Sequence, residues 1–213
     1  MDPTGSAGVP PALSSSKPWR SRGYLPHFDQ PRLTQSLTFR LHDAVPDAVV
    51  QSWKTELAWI ENLPASDPRA VKLSKLISAY EDASHGACWL RDERIASLVE
   101  NALLHFDNQR YRLIAWCVMP NHVHVLVEVS ESWSLASVVQ SWKSYTAHVA
   151  NRILGRSGDF WLREYFDRFI RDERHLSRAV LYIERNPVKA GLIHAPEEWT
   201  WSSARWRVGE KKE

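Results

Sequence analysis

Two histidines separated by one residue are the strongest candidates for chemistry in this sequence. His122 and His124 lie in the stretch NHVHVLVEV, whose alternating valines are typical of a β-strand. Successive strand side chains point to opposite faces, so both imidazoles would lie on the face that the valines do not occupy. Two neighbouring imidazoles are half of a site for a divalent metal ion. The same pattern also fits two partly buried, hydrogen-bonded histidines without a metal.

Tyr182 and Asn186 form a second candidate group, in the stretch LYIERNPVKAGL. They are four residues apart, so on a helix they would share a face. Tyr182 would lie at the rim of the packed side of that helix, where its hydroxyl can reach a groove. The side-chain oxygen of Asn186 suits a hard cation such as Mg²⁺. The alternative is a half-buried packing tyrosine, followed by an asparagine that ends a helix before proline.

A β-hairpin would position the histidines. Strands are predicted over residues 111–118 and 122–129, with the turn MPN between them. An earlier strand over 36–41 is predicted to be half-buried, because apolar and polar residues alternate along it. A short strand is predicted over 166–171. Few strands with interleaved helices indicate an α+β domain with an antiparallel sheet.

Helices are predicted where apolar residues recur at helical spacing. Asp92 and Ser134 precede two of these segments and can cap them. The tyrosine lies on the last one. The predicted helices cover about residues 46–63, 70–80, 92–106, 134–154 and 173–185.

Composition predicts one globular domain. The chain has 213 residues, of which 44% are hydrophobic and 24% charged, as in ordinary folded proteins. Residues 1–18 are rich in Gly, Pro, Ala and Ser and are predicted to form a disordered leader. The domain is expected over 19–207, with an extra helical segment at about 64–90 and a tail at 208–213.

The charge pattern bears on partners and location. The net charge is only +2, but residues 152–191 carry nine basic and six acidic residues. Such a region attracts phosphates, although solvated surface charge explains it equally well. The two cysteines form no metal-binding or disulfide motif, which fits a cytoplasmic protein. No membrane span or signal peptide is predicted from the sequence.

Three stretches together resemble one known family. They are MPNHVHVLVE, the segment WLREYFDRFIRDE and YIERNPVKAGL. In this order they are similar to the REP-associated tyrosine transposases, a branch of the single-tyrosine HUH transposases, and the resemblance covers most of residues 20–205. It implies a ferredoxin-like antiparallel sheet with the histidines on a central strand and helices packed against it.

The resemblance also implies roles for the candidate residues. The HUH motif of the family matches His122, Val123 and His124, and the family's nucleophile corresponds to Tyr182. The third metal ligand would be Asn186, where many members have glutamine. This implies Mg²⁺ or Mn²⁺ on the two histidines and the asparagine. The tyrosine would then cut single-stranded DNA and keep its 5′ end as a phosphotyrosine.

DNA is the partner that the resemblance implies, as REP-type palindromes that form hairpins, with the protein a monomer rather than a dimer. Basic and aromatic residues in three regions are candidate DNA contacts. They are Arg20, Arg22, Tyr24, His27, Arg185, Lys189, Trp201 and Arg205.

Two other functions fit parts of the sequence. A catalytically idle protein that binds hairpin DNA would need only the basic and aromatic segments. A metal-dependent phosphoesterase that uses water would need more metal ligands, and no cluster of Asp or Glu accompanies the histidines. Glu128, on the same strand face, is a candidate hydrogen-bond partner of a metal-binding histidine.

Overall fold

The computed structural model describes residues 19–21, 26–28, 32–46, 49, 52, 55, 80 and 85–209. Within them, a four-stranded antiparallel sheet has the strand order β4-β5-β3-β6, which places β5 in the interior. A separate pair, β1 with β2, precedes it. The strands are β1 (Trp19–Ser21), β2 (Pro26–Phe28), β3 (Thr34–Leu41), β4 (Tyr111–Val118), β5 (His122–Val129) and β6 (Trp161–Phe169).

Helices cover both faces of this sheet, which confirms the ferredoxin-like α+β fold expected from the sequence. Short 3₁₀ segments occupy Trp89–Arg91, Pro196–Glu198 and Ser203–Gly209. None of the described helices is long and apolar enough to cross a membrane. The α-helices are α1 (Glu93–Leu104), α2 (Leu135–Ile153), α3 (Glu173–Glu184) and α4 (Asn186–Lys189).

The main core lies on the valine face of β5. Val123, Val125 and Val127 are fully buried there, in one cluster with apolar residues of α1 and α2. Trp142 of α2 stacks near Phe39 of β3, with ring centroids 6.4 Å apart. This face therefore rigidly supports the strand that carries the histidines.

Helix α3 covers the opposite face. Its buried Ile183 packs with Leu126 of β5 in a second, smaller apolar cluster. As a result β3 is buried on both faces, and the prediction of a half-buried strand is wrong. Thr38 and Arg40, which alternation alone would turn toward solvent, are only 9% and 4% exposed.

Local sequence patterns predicted most boundaries of the strands and helices correctly. The predicted hairpin matches β4 and β5 at both ends. Asp92 caps α1 by accepting from the Arg94 amide at 3.0 Å, and Ser134 caps α2 by accepting from the Ser137 amide at 3.1 Å.

Strand β6 begins five residues earlier than predicted, at Trp161 rather than at 166. Its core side is carried by aromatic residues such as Trp161 and Tyr165, which are buried. Charged residues at 163, 164, 167 and 168 interrupt the alternation in the sequence. The apolar pattern was therefore too weak to show the full strand.

Several predictions fall on residues outside the described part. They are the leader at 1–18, most of the helices at 46–63 and 70–80, most of the segment at 64–90, and most of the tail at 208–213. The described residues 49, 52, 55 and 80 are helical, as expected.

Residues 199–207, called here the 199–207 segment, run along the outer edge of β4. The Val118 amide donates to the Trp201 carbonyl at 2.9 Å, and the Trp199 indole donates to the Val118 carbonyl at 2.9 Å. Cys117 and Ser202 form an antiparallel bridge. An unpaired strand edge is a site of unwanted association, and this segment covers it.

Candidate active site

The two histidines of β5 point toward each other beneath α3. His122 and His124 are 0% and 2% exposed. Their rings are nearly perpendicular, with centroids 4.6 Å apart, and their Nε2 atoms are 3.0 Å apart. Strand register places Thr38 and Arg40 of β3 beside them on the same face. The two ring nitrogens therefore share one small, buried space.

Asn121 fixes the proton of His122. The Asn121 amide nitrogen donates to the His85 carbonyl at 2.9 Å, which sets the direction of the amide. Its oxygen then lies 2.7 Å from His122 Nδ1 and can only accept. The proton of the neutral ring is therefore on Nδ1, and Nε2 presents its lone pair to His124.

Thr38 holds the second ring. Its hydroxyl oxygen lies 2.8 Å from His124 Nδ1. A hydroxyl can donate or accept, so this contact allows either tautomer. When Thr38 accepts, both Nε2 atoms present lone pairs to the same point, as metal ligands require.

Burial keeps both rings neutral. It lowers the pKa of His122 far below its usual value and the pKa of His124 to about 3. The positive charges of Arg40 and Lys189 lower both further. Neutral imidazole is the form that binds metal ions, so the pair is ready to do so at neutral pH.

Helix α3 and the turn after it bring the other two candidate residues to the histidines. The Tyr182 ring centroid is 5.4 Å from that of His124, and Tyr182 is 38% exposed. The helix ends at Glu184, and Asn186 begins α4 just before Pro187, a residue suited to a first helical turn. Asn186 is fully buried, with its amide nitrogen 3.1 Å from His124 Nε2.

The Asn186 oxygen, Oδ1, is buried and accepts no hydrogen bond from the described residues. A half-turn of the amide would bring this oxygen to the nitrogen position, next to His124 Nε2. Adjacent ligands of an octahedral ion with bonds of about 2.1 Å lie about 3 Å apart. The spacing of the two Nε2 atoms, 3.0 Å, fits that geometry. These three groups therefore fit a hard divalent cation.

Carboxylates do not contribute to this group in the described part of the chain, where no three His, Cys, Asp or Glu residues cluster. Glu128, a candidate partner of a metal-binding histidine, instead bonds to Arg112 at 2.6 Å. It lies six residues beyond His122, at the other end of β5. That interpretation of Glu128 is therefore wrong.

Helix α3 is anchored by the 199–207 segment. The carboxylate oxygen Oε1 of Glu184, which is buried, accepts from the Ser203 hydroxyl at 2.7 Å and from Arg207 at 2.5 Å. Arg207 also donates to the Ile114 carbonyl of β4 at 2.9 Å. The helix that carries Tyr182 is thus tied to the sheet two residues after the tyrosine.

A shallow groove of about 430 Å³ opens beside Tyr182. Arg185 and Lys189, two of the candidate DNA contacts, line it. The Lys189 ammonium lies 5.6 Å from the centre of the tyrosine ring. The structure therefore brings these two cations next to the candidate nucleophile.

The remaining candidate DNA contacts are distributed differently. Trp201 and Arg205 have partners within the chain: the indole bonds to Ser97 at 3.2 Å and the guanidinium to Glu100 at 2.8 Å. Arg20 and His27 are register partners in the β1–β2 pair, and Arg22 and Tyr24 lie outside the described residues. Contact of these residues with DNA stays a prediction.

Sequence reasoning missed Asn121 and Thr38. Asn121 directly precedes the first histidine, and this position was a usable signal because neighbouring polar groups often orient metal ligands. Thr38 gave no local signal, since its contact with His124 joins residues 86 positions apart.

Comparison with known proteins finds similarity to transposases. Residues 89–186 match the family model of the IS200-like transposases. A protein of Haemophilus influenzae described provisionally as a REP-associated tyrosine transposase is 26% identical over 107 residues, or 46% of this chain and 61% of its own. The REP-associated tyrosine transposase of Escherichia coli is 23% identical over 109 residues, or 50% and 62%. The resemblance inferred from the motifs is confirmed.

A solved structure has the same fold. It is a REP-associated tyrosine transposase bound to a REP hairpin, with a TM-score of 0.55 and 16% identity, over 86% of this chain and 83% of the other. The chain spans about three fifths of the length of the curated relatives it matches.

Proposed function

From this similarity to the IS200-like transposases and from the geometry of the site, we propose that the chain is a metal-dependent transposase that cuts and rejoins single-stranded DNA through Tyr182. Its substrates would be REP-type palindromes that fold into hairpins, the class named for the related structure. The catalytic domain would be residues 19–207, acting as a monomer.

One observation carries the proposal: a partly exposed tyrosine next to a buried, neutral histidine pair. The Tyr182 ring lies 5.4 Å from His124 within one chain. A packing tyrosine needs no such neighbours. A nucleophile does, because a phosphodiester repels an attacking oxygen unless its negative charge is offset, and a neutral histidine pair can hold a cation that would do so.

The residues would divide the reaction as follows. The Tyr182 phenol oxygen bonds to phosphorus and gives up its proton to solvent, while the bond to the DNA 3′-oxygen breaks and that oxygen is protonated. The 5′ end stays on the tyrosine, so a second 3′-hydroxyl can reverse the step without ATP. His122, His124 and Asn186 would hold Mg²⁺ or Mn²⁺, which offsets charge on the scissile phosphate when bound.

Covalent adduct formation tests this function. The full chain is incubated with Mn²⁺ and labelled REP-type hairpins that carry single-stranded flanks, and the products are separated under denaturing conditions. We expect a labelled protein band that requires metal and is lost in Tyr182→Phe. Tyr145→Phe is the matched control, because Tyr145 is also exposed, lies on α2, and should leave the adduct unchanged.

Two results would contradict the proposal. A labelled adduct that persists in Tyr182→Phe would assign the nucleophile elsewhere. Tight binding of the hairpins, equal with and without chelator and never followed by an adduct, would support the idle hairpin-binding protein instead.

A further inference from the structure

A row of cations runs along the exposed side of α3 and continues into α4. Arg174, Arg178, Tyr182, Arg185 and Lys189 follow one another at intervals of four, four, three and four residues. Within α3, intervals of four keep the first three on one face of the helix. Arg185 and Lys189, which follow the end of α3, line the same groove as Arg178 and Tyr182. All five residues are exposed. The candidate nucleophile thus lies within a basic row, with two cations on each side.

The three arginines of this row have no carboxylate partners. Among the described residues, Arg174, Arg178 and Arg185 form no ion pair. Glu184, an acidic residue in the same stretch, is buried against the 199–207 segment, on another side of the helix. The positive charges of these three arginines are therefore not neutralised by ion pairs with other described residues.

The row is also unfavourable for the helix itself. Arg174 lies in its first turn, where the helix dipole disfavours positive charge. Like charges four residues apart repel each other as well. An external anion along this face would relieve both effects.

Apolar side chains lie among the cations. Leu181, which is 56% exposed, and Val188 line the groove with Arg178, Arg185 and Lys189. A surface that combines phosphate-binding cations with apolar contacts suits a flexible strand with exposed bases better than a small anion.

The position of this row beside Tyr182 indicates which part of the DNA would bind there. Four residues of helix span about 6 Å, so Arg178 and Arg185 lie about one turn to either side of Tyr182. We propose that this face is the track for the unpaired DNA strand on both sides of the scissile phosphate, with Arg178 and Arg185 binding the flanking phosphates. This rests on the function proposed above.

Binding without cleavage tests the track. The probe is a short labelled oligo(dT) strand with the full chain in chelator, and fluorescence anisotropy is measured from about 50 to 200 mM salt. Arg178→Gln/Arg185→Gln is expected to weaken binding about tenfold at the lowest salt. The slope of log affinity against log salt should fall by about 1.4, or 0.7 for each lost phosphate contact to a single strand.

Arg91→Gln/Arg152→Gln is the matched control. It removes the same charge from exposed positions, in the 3₁₀ segment before α1 and on α2, whose buried apolar residues belong to the core on the other face of the sheet. Affinity and slope near wild type are expected here. If both double variants changed binding equally, or neither did, the track would be rejected.

This assay is separate from the adduct assay. Loss of binding in the Arg178→Gln/Arg185→Gln variant supports the track even when wild type forms no adduct, which would overturn only the catalytic proposal. Thermal unfolding of both double variants, expected to match wild type or exceed it, shows that the binding loss does not reflect misfolding.

Discussion

Replacing Asn121 isolates the part of the site that sets the tautomer of a metal-binding histidine. Asn121 accepts from His122 Nδ1 at 2.7 Å and donates to the His85 carbonyl at 2.9 Å. Asn121→Ala removes both bonds, so the His122 proton is no longer held on Nδ1. Loss of such an outer hydrogen bond weakens metal affinity about 10- to 100-fold, or about 1.4–2.7 kcal/mol.

Asn121→Asp is the matched variant. Its carboxylate can still accept from His122 but cannot donate to the His85 carbonyl. Both substitutions remove the donor to the His85 carbonyl, so both should lower the free energy of unfolding by at least about 0.5–1.5 kcal/mol. Only the alanine variant should lose metal affinity. Stability and metal binding are thereby separated.

The assay is a calorimetric titration of metal-free protein with Mn²⁺ at neutral pH, with urea unfolding measured on the same samples. Glu128→Gln serves as a negative control, since Glu128 bonds to Arg112 and not to a histidine. The reasoning is refuted if folded Asn121→Ala binds Mn²⁺ as tightly as wild type. It is also refuted if the aspartate variant loses as much affinity as the alanine variant.

Three further outcomes are expected. Glu184→Gln should lower the free energy of unfolding by about 1–3 kcal/mol, because a charge-assisted bond to Arg207 is lost; an unchanged urea midpoint would contradict this. In metal-free protein, acid should destabilise through His124: its pKa is about 3 when folded but about 6.5 when unfolded, so the unfolded chain gains the proton first. The loss between pH 7 and 5 should be about 2 kcal/mol greater than in His124→Gln, and equal losses would argue against the low folded pKa. Finally, Mn²⁺ should raise the melting temperature of wild type but not of Asn186→Leu, as measured by scanning calorimetry.

Local patterns in the sequence were sufficient for the hairpin and the capped helices. The alternating valines of β5 predicted which face carries His122 and His124, because a strand allows only two faces. Capping by Asp92 is likewise a contact within one turn, so neighbouring residues determine it.

Contacts between distant segments could not be predicted in this way. The burial of Arg40 and the bond from Thr38 to His124 depend on the pairing of β3 with β5, and α3 lies over β5. Polar residues on a strand normally indicate a solvent face. Here the polar residues of β3 lie inside the candidate site, and this location is visible only in the packed structure.

The bonds from Ser203 and Arg207 to Glu184 affect how truncated copies of this gene should be recognised. The motifs that identify this chain end at residue 192, whereas the groups that hold the tyrosine helix follow it. A stop codon between these regions would preserve all the recognisable motifs and remove the groups that bind the Glu184 carboxylate. Genome surveys that count intact motifs would then overestimate working copies, and codons 203 and 207 should be inspected as well.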